Sequence, residues 1–273
     1  MPLPVEISSL ADPRVASYAS LTEAQMRSLQ HKENAVLIAE GEKVISNALD
    51  AGLVPISFLM KKKHIAGKGA ALLERCPQVP VYTGESEWLE QLTGFKMSRG
   101  FLCEMRRPPE KDPEEILSSA RRVAVMEDIT DAANVGAIFR NAAALGMDGV
   151  LLSPSCADPF CRRSIKVSMG TVFSVPFARF SVWPEEIIRL KGAGFTVVAL
   201  ALTESALPIQ SPLFRQSERL ALLLGTEGDG LRPDTVEKSD LTAIIPMMRG
   251  VDSLNVGAAA AIAFWETDPR RER

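Results

Sequence analysis

Short apolar runs alternate with helix-forming segments along most of the chain, and this alternation limits the fold more than any other feature of the sequence. Arg122–Glu127 (RVAVME) and Leu220–Leu224 (LALLL) are continuous apolar runs, a pattern typical of strands that are buried on both faces of a sheet. Segments typical of helices lie between such runs, for example Ala137–Leu145 and Pro184–Lys191. The alternation predicts an α/β fold with a doubly wound parallel sheet in the second half of the chain.

The other predicted elements follow the same alternation in both halves. In the first half they are strands at Ala35–Glu40, Ile56–Met60, Val79–Tyr82 and Gly100–Met105 and helices at Leu21–Gln30, Glu42–Ala51, Gly69–Arg75 and Glu85–Leu92. In the second half they are strands at Gly149–Leu152, Phe177–Phe180, Phe195–Leu202 and Ala243–Ile245 and helices at Ser164–Met169 and Ser253–Trp265. The first half is therefore predicted to be a smaller α/β domain.

A proline-rich, charged stretch at Arg106–Glu115 (RRPPEKDPEE) marks the clearest change of composition. Two adjacent prolines prevent a regular helix or a central strand, so the stretch predicts a linker. We expect an N-terminal domain at residues 1–106, a linker at 107–115 and a second domain at 116–273. A length of 273 residues with 46% apolar residues suits two domains that each bury a core.

The charge balance restricts how the chain can bind nucleic acid. Its formal net charge is −3, which excludes a histone-like coat that binds by bulk positive charge. Local basic clusters are still available for phosphate contacts; they are Lys61, Lys62, Lys63 and Lys68 in the first half and Arg162, Arg163 and Lys166 in the second. For the lysine run, a solvated strand end is the open alternative.

Histidines and cysteines form no metal-binding pattern. The two histidines, His31 and His64, lie far apart, and none of the four cysteines belongs to a C-x-x-C pair. We interpret the cysteines as reduced thiols of a cytosolic protein. The N-terminal residues lack a signal-peptide pattern, and the longest apolar run, Val256–Trp265, is shorter than the ~20 residues that span a bilayer. We therefore expect a cytoplasmic protein without a metal ion or a membrane segment.

A polar segment, Asp128–Gly146 (DITDAANVGAIFRNAAALG), follows the first buried strand of the second half. Asn134 is a residue typical of helix N-caps, and Arg140 follows six residues later, which we interpret as broadly the same side of the helix. Ligands of parallel sheets bind at the carboxyl ends of the strands, where this segment begins. An arginine on an otherwise apolar helix is costly to bury without a partner. The alternative is an ordinary cap and a surface arginine.

A glycine-rich segment follows the strand at Leu220–Leu224. Its glycines, Gly225, Gly228 and Gly230, allow a ligand to approach the backbone closely, and Glu227 between them is a candidate acceptor for a hydroxyl or an amine. The spacing G-x-x-G-x-G differs from the dinucleotide-binding pattern and lacks the lysine of a P-loop. The alternative is a glycine-rich turn with a solvated glutamate.

The third segment is Ile244–Glu266 (IIPMMRGVDSLNVGAAAAIAFWE). Ser253 is expected to cap an alanine-rich helix and, together with Asn255, to present polar groups near its positive end. The small residues Gly257–Ala261 allow another backbone to pack closely against the helix. The alternative is a capped core helix without a ligand.

Taken in order, these segments resemble the three motifs of the SpoU-type 2′-O-ribose RNA methyltransferases, which belong to the SPOUT class. The first motif, N-x-G-x-x-x-R, is Asn134, Gly136 and Arg140; the second, L-x-x-G-x-E-G-x-G-L, is Leu222, Gly225, Glu227, Gly228, Gly230 and Leu231; the third, I-P-M…S-L-N-V, is Ile245, Pro246, Met247, Ser253, Leu254, Asn255 and Val256. Two departures remove no proposed chemical group: Ala132 follows Asp131 where the family commonly has proline, and Gly257 stands where it often has serine.

Two further segments extend the resemblance. Arg162–Gly170 (RRSIKVSMG) is similar to the short R-x-S-x-G segment of the family. Glu40–Gly52 (EGEKVISNALDAG) resembles the substrate-binding domain that is often fused to these enzymes, an α/β module similar to certain RNA-binding ribosomal proteins. The resemblance covers nearly the whole chain.

The resemblance implies a fold and an activity. The expected fold is a parallel-sheet SPOUT domain with a deep trefoil knot, an exception to the rule that protein chains are not knotted, preceded by a smaller RNA-binding α/β domain. The expected protein is a homodimer whose first-motif helix and last helix form the interface. The expected reaction is methyl transfer from S-adenosylmethionine to a ribose 2′-hydroxyl, with ribosomal RNA favoured over transfer RNA as the substrate.

The resemblance also implies roles for individual residues. The expected catalytic residues are Arg140, Asn134, Glu227, Ser253 and Asn255. The expected cofactor residues are Leu202, Thr203, Gly225, Glu227, Gly228, Ile245, Met247, Ser253 and Leu254, and the expected RNA-binding residues are Lys61, Lys62, Lys63, Arg162, Arg163 and Lys166. No metal is expected, because the methyl carbon on a sulfonium is already an electrophile.

Two other function classes are open at this stage. A non-catalytic RNA-binding protein, for example a ribosome assembly factor, could retain the same fold, although it would have no reason to keep Asn134, Arg140, Glu227 and Asn255 together. A nucleotide-binding oxidoreductase of the Rossmann type is disfavoured by the glycine spacing.

Overall fold

The computed structural model describes residues 3–9, 11–19, 35–85, 87, 89–90, 100–251 and 253–272. The chain forms two compact units, one of Met1–Pro109 with Phe160–Ser174 and the other of Glu110–Pro159 with Val175–Arg273. The predicted helix Leu21–Gln30 and part of the predicted helix Glu85–Leu92 lie outside the described residues.

The strands and helices of both units alternate along the chain. The strands are β1 (Pro4–Glu6), β2 (Val36–Glu40), β3 (Pro55–Met60), β4 (Val81–Thr83), β5 (Phe101–Arg106), β6 (Arg122–Met126), β7 (Gly149–Leu152), β8 (Phe177–Arg179), β9 (Thr196–Leu200), β10 (Leu207–Pro208), β11 (Leu220–Leu224) and β12 (Leu241–Ile244). The α-helices are α1 (Ala16–Ala19), α2 (Glu42–Asp50), α3 (Lys62–Ile65), α4 (Ala70–Arg75), α5 (Pro113–Leu117), α6 (Ala132–Leu145), α7 (Arg162–Val167), α8 (Ile187–Gly192), α9 (Pro212–Gln216), α10 (Pro233–Lys238) and α11 (Val256–Glu266). Most of the predicted strands and helices are present, with ends shifted by one to a few residues.

The first unit contains a mixed five-stranded sheet in the order β1-β4-β3-β5-β2. β5 runs antiparallel to both of its neighbours, whereas β1, β4 and β3 are parallel. Apolar residues from β2, β3 and β5 pack together with residues of the N-terminal segment in one core, which contains Ile7, Val15, Tyr18, Val36, Ile38, Leu59, Leu89 and Leu102. The first half is an α/β domain, as its sequence pattern predicts.

The segment Phe160–Ser174 packs with the first unit, although the predicted boundary placed it in the second domain. The Asn47 side-chain amide donates to the Met169 carbonyl at 2.8 Å, and the Arg107 guanidinium lies 4.9 Å from the centre of the Phe160 ring. A single domain boundary in the sequence cannot identify a segment that lies in the second half of the chain but packs with the first unit.

The second unit contains a seven-stranded sheet in the order β10-β12-β9-β11-β6-β7-β8, with every neighbouring pair parallel. One face of β6, β9 and β11 forms a core with α5 and α8 through residues such as Val125, Val197 and Leu190. The alternate strand residues Ala124 and Leu222 are also fully buried, and α6 and α11 lie against β7 and β11. Helices therefore cover both faces, which confirms the predicted doubly wound parallel sheet.

Helix starts differ from the sequence expectation because capping depends on geometry. The Asp131 carboxylate accepts from the Ala133 amide at 2.8 Å, so Asp131 is the N-cap of α6 and Asn134 lies inside the helix. Asn255 Oδ1 accepts from the amides of Gly257 at 3.0 Å and Ala258 at 3.3 Å. Asn255 is therefore the cap of α11, and the expectation that Ser253 caps this helix is wrong.

The predicted linker 107–115 contains the start of a helix. Asp112 accepts from the Glu114 amide at 2.8 Å, and the Glu115 side chain accepts from the Asp112 amide at 3.0 Å. This capping box, with Pro113 at the first helical position, begins α5. The acidic residues Glu114 and Glu115 of this stretch stabilise the first turn of the helix.

Arg122, at the start of the central strand β6, is a buried cation held by backbone carbonyls. Its Nη1 donates to the carbonyls of Arg121 and Glu218, both at 3.1 Å, and its Nη2 donates to those of Arg215 at 3.1 Å and Ser217 at 2.7 Å. Three of these carbonyls lie at or just after the C-terminal end of α9, where the helix dipole favours a positive charge. Burial lowers the pKa of Arg122.

We expect Arg122→Ala to lower the free energy of unfolding by about 3 kcal/mol, because it leaves four carbonyls without their charged donor. The neighbouring Arg121 is exposed, and Arg121→Ala should change the same quantity by less than about 0.5 kcal/mol. Urea unfolding followed by circular dichroism would measure both. Equal stabilities of the two variants would contradict this role of Arg122.

Candidate active site

Four adjacent strands of the second unit end at the same edge of the sheet. In the order β12-β9-β11-β6, they are all parallel, so the loops that follow them meet at one edge. Those loops, which carry the predicted site residues or lead into them, are residues 245–251 and 253–255 after β12, 201–206 after β9, 225–231 after β11 and 127–131 after β6.

Asn134, Glu227 and Asn255 form one hydrogen-bonded cluster at this edge. Asn134 Nδ2 donates to Glu227 Oε1 at 3.0 Å, and Asn255 Nδ2 donates to Asn134 Oδ1 at 2.9 Å and also to Glu227 Oε1. Asn134 is buried, whereas Glu227 and Asn255 are exposed. The structure thus brings together one predicted residue from each of the three motifs.

The cap of α11 determines how this cluster is oriented. Because Asn255 Oδ1 accepts from the first amides of α11, its Nδ2 must point away from the helix and toward Asn134 and Glu227. Asn134 must then present its Oδ1 to Asn255 and its Nδ2 to Glu227. Glu227 Oε2 has no hydrogen-bond partner in the part of the chain that the structure describes, so it can accept from a ligand.

Close backbone packing explains two small residues beside the cluster. A β-carbon at Gly225 would collide with the backbone of Gly230 and Leu231, because the loop after β11 folds back on itself. A β-carbon at Gly257 would lie 3.0 Å from that of Ala137, where α11 approaches α6. The Asn141 side-chain amide also donates to the Gly257 carbonyl at 2.7 Å. The packing fixes the start of α11, and hence Asn255, against α6.

Arg140 does not join the cluster. Residues of an α-helix advance by about 100° each, so a spacing of six leaves Asn134 and Arg140 about 120° apart. The interpretation that they share one side of α6 is therefore wrong. Arg140 is exposed and forms no hydrogen bond or ion pair within the described ranges, which leaves its guanidinium available for a ligand.

The remaining predicted cofactor residues lie in the loops at the same edge. Leu202 and Leu254 are 62% and 37% exposed, and the Thr203 and Thr242 hydroxyls are 2.8 Å apart. Gly228 and Ser253 are exposed, and Ile245 and Met247 are half-buried. These loops therefore present both apolar side chains and hydrogen-bonding groups to solvent.

A second polar cluster, which the sequence interpretation missed, lies directly after β6. The fully buried Glu127 accepts hydrogen bonds from the Arg232 amide at 2.6 Å, the Trp183 indole and the Thr235 hydroxyl. The Asp128 carboxylate accepts from the Arg232 guanidinium, with Nε at 2.9 Å, and from the hydroxyls of Ser153 at 3.0 Å and Ser155. Two consecutive carboxylates at the end of a buried strand were the available signal.

Asp128 is ionised at neutral pH. Burial by itself would raise the pKa of Asp128, but hydrogen bonds from Ser155, Arg232 and Ser153 together lower it below its ordinary value. The side chain therefore presents a full negative charge to Arg232.

In the first unit, acidic neighbours neutralise several of the predicted RNA-binding cations. Lys61 pairs with Glu90 at 3.0 Å, Lys62 with Glu6 at 2.9 Å and with Glu85 at 3.3 Å, and Lys166 with the buried Glu40 at 3.2 Å. Lys63 forms no ion pair among the residues that the structure describes, and Arg163 on α7 is exposed.

The cysteines, the length of the apolar helices and the grouping of metal-ligating side chains bear on disulfides, membrane segments and metal sites. All four cysteines are buried as free thiols. None of the helices in the described ranges is long and apolar enough to cross a membrane. Among the described residues, no three histidine, cysteine or acidic side chains gather in a way that could hold a metal ion.

The chain is similar to RNA methyltransferases in sequence and in fold. The chain is 38% identical over 93% of its length to a protein of Mycobacterium bovis, 88% of which is covered and whose name describes it as an uncharacterized tRNA/rRNA methyltransferase. It is 30% identical over 95% of its length to the 23S rRNA (guanosine(2553)-2′-O)-methyltransferase RlmP of Bacillus subtilis, of which it covers 98%. The crystal structure of an AdoMet-bound rRNA methyltransferase from Sinorhizobium meliloti superposes with a TM-score of 0.80 at 25% identity, with 98% of both chains covered.

The model of the SpoU rRNA methylase family matches residues 121–265, which begin just before β6 and end within α11. The match therefore spans all three motif loops, including the residues of the Asn134–Glu227–Asn255 cluster. On the extent of this match and of the similarity to its relatives, the chain belongs to the SpoU rRNA methylase family.

Proposed function

We propose that this protein transfers the methyl group of S-adenosylmethionine to a ribose 2′-hydroxyl of ribosomal RNA. The observation that carries the proposal is the cluster of Asn134, Glu227 and Asn255, in which polar side chains from three separate loops meet at the carboxyl edge of a parallel sheet. Ribosomal RNA is favoured because RlmP and the enzyme from Sinorhizobium meliloti are both named as rRNA methyltransferases.

The loops after β9, β11 and β12 fit the cofactor. The apolar surface of Leu202 and Leu254 lies open to solvent at the strand ends, where an adenine ring would cover it. The residues that would hold the cofactor are Leu202, Thr203, Gly225, Glu227, Gly228, Ile245, Met247, Ser253 and Leu254. When bound, S-adenosylmethionine supplies an electrophilic methyl carbon on a sulfonium sulfur.

The residues of the cluster orient the ribose. Glu227 Oε1 is occupied by the two asparagine amides, so Oε2 is the atom that accepts a hydrogen bond from the ribose hydroxyl. Holding the hydroxyl in line with the methyl carbon is the main contribution that the protein makes to a displacement of this kind. Ser253, exposed in the loop before α11, adds a further hydroxyl at this edge.

Arg140 acts as a cation and not as a base. A guanidinium stays protonated in proteins, so it cannot remove the hydroxyl proton. We assign Arg140 to the phosphate next to the target ribose, where it also stabilises the negative charge that develops on the 2′-oxygen. The proton leaves to a water molecule or to a second side chain.

RNA capture is assigned to the first unit and its basic clusters, which comprise Lys61, Lys62, Lys63, Arg162, Arg163 and Lys166. We also propose a cytoplasmic homodimer that contacts its second copy through α6 and α11, where Ala258 is exposed and Trp265 is 50% exposed. The deep trefoil knot that the family resemblance implies is part of the same proposal.

Calorimetry and methylation mapping test the proposed function directly. We expect the protein to bind S-adenosylmethionine, and we expect a cell that lacks the gene to lose at least one 2′-O-methyl group from ribosomal RNA. A protein that binds RNA but not S-adenosylmethionine would instead be a non-catalytic assembly factor. Loss of a methyl group from transfer RNA alone would show that the substrate is transfer RNA and not ribosomal RNA.

Arg140→Ala should lower the rate of methyl transfer by at least about 100-fold, because it removes the charge that stabilises the developing alkoxide. The affinity for S-adenosylmethionine should not change, because Arg140 lies outside the cofactor loops. Arg140→Lys should retain part of the rate. Single-turnover methylation and calorimetry would measure the two quantities, and a near wild-type rate for Arg140→Ala would refute the assignment.

Within the lysine run, Lys63 should contribute more to RNA affinity than Lys61. Lys61 is neutralised by Glu90, whereas Lys63 is available to a phosphate and should release a counterion on binding. We expect Lys63→Ala to reduce the slope of log affinity against log salt by about 1, and Lys61→Ala to leave it nearly unchanged. Equal slopes for the wild type and Lys63→Ala would show that Lys63 makes no phosphate contact with the RNA.

A further inference from the structure

The loop that carries Glu227 has little internal structure to hold it in place. It contains three glycines, at positions 225, 228 and 230, and glycine loses more backbone freedom on ordering than any other residue. Within the loop, the Thr226 amide donates to the Gly230 carbonyl at 3.1 Å. The Thr226 hydroxyl donates to the same carbonyl at 3.5 Å and accepts from the Asp229 amide at 3.2 Å. The position of Glu227 therefore depends on how the two ends of the loop are anchored.

One end of the loop continues from β11, which is paired on both sides within the sheet. The other end is anchored by Arg232, directly after the motif. The Arg232 amide donates to Glu127 Oε1 at 2.6 Å, and its guanidinium donates to Asp128 Oδ2 through Nε at 2.9 Å and Nη2 at 2.5 Å. The guanidinium also donates to the Trp183 carbonyl at 3.3 Å.

Asp128 is itself held firmly. Its backbone lies in the left-handed region, with φ at 55°, a conformation that aspartate tolerates better than most residues. The Ser153 hydroxyl accepts from the Asp128 amide at 2.9 Å and donates to its Oδ1 at 3.0 Å. The Ser155 hydroxyl donates to the same Oδ1. Asp128 is thus a fixed point at the end of the strand that leads into α6 and Asn134.

We infer that Asp128 and Arg232 are positioning residues for the methyl transfer, because their ion pair joins the loop that carries Glu227 to the end of the strand that precedes Asn134. The pair touches neither the ribose nor the cofactor in this proposal. It acts by keeping Glu227 Oε1 within hydrogen-bond distance of Asn134 and Asn255. The inference rests on the proposed function.

Exposure separates this role from a purely structural one. The Arg232 side chain is 45% exposed and that of Asp128 is half-buried, at 24%, and ion pairs that solvent reaches contribute little to the free energy of unfolding. Loss of the pair should therefore affect the rate of methyl transfer more than the stability. A displacement of about 1 Å in a positioned group is enough to lower a rate by about 100-fold.

The test compares Asp128→Asn, Arg232→Gln and the double variant in the full-length protein. Asparagine also tolerates the left-handed backbone, so Asp128→Asn removes the charge without straining the chain. We expect each single variant to lower kcat by about 10- to 100-fold, with the melting temperature changed by only a few degrees. Arg232→Lys should recover part of kcat, because it retains the positive charge.

The double variant tests whether Asp128 and Arg232 affect the methyl transfer through their contact with each other. If Asp128 and Arg232 act through each other, the kcat of the double variant should be no lower than that of the less active single variant. The matched control is Lys191→Gln. It breaks the ion pair between Lys191 and Asp240, whose charged atoms are 2.8 Å apart and whose side chains are 39% and 36% exposed. Asp240 lies just before β12, at the edge of the sheet opposite the motif loops. The control should retain wild-type kcat.

Amide hydrogen exchange keeps the inference separate from the proposed function. We expect residues 225–231 to exchange faster in both single variants than in the wild type and in Lys191→Gln. A wild-type protein without methyl transfer would overturn the proposed function while leaving this measurement intact. Unchanged exchange and unchanged kcat in Asp128→Asn, or additive losses in the double variant, would overturn the inference.

Discussion

The parallel pairing of β6, β11, β9 and β12 is the constraint on which the rest of the site depends. Because neighbouring strands run in the same direction, their carboxyl ends lie at one edge, and loops that are far apart in sequence meet there. Asn134 and Glu227 are separated by 93 residues and Asn134 and Asn255 by 121, yet they share hydrogen bonds. A change of register in β11 would remove Glu227 from this cluster.

The charged residues of this protein act through specific short-range partners and not through the net charge. The net charge of −3 excludes RNA capture by bulk attraction, and several lysines that looked available in the sequence are paired with acidic side chains. Arg122, Asp128 and Arg232 show the same principle inside the second unit, since each charge meets a specific partner. Arg140 and Lys63 form no ion pair among the described residues, so their charges are available for phosphate contacts.

The differences from the sequence expectation have physical causes. A capping residue is recognised by its contact with the first amides of a helix, and Asp131, Asn134, Ser253 and Asn255 are all suitable residue types. Only the fold decides that Asp131 and Asn255 take these positions. In the same way, the sequence does not reveal that Phe160–Ser174 returns to the first unit, because its contacts with Asn47 and Arg107 are long-range.

By itself, the sequence determined the α/β class, the parallel sheet, the family and the residues of the three motifs, because these depend on local hydrophobic patterns and on fixed spacings. The tertiary structure decided which motif residues touch one another, that Arg140 stands apart from them, and that Glu127, Asp128 and Arg232 anchor the Glu227 loop. These facts depend on strand register and on helix packing. Both are set by contacts between residues about a hundred positions apart, which no local pattern contains.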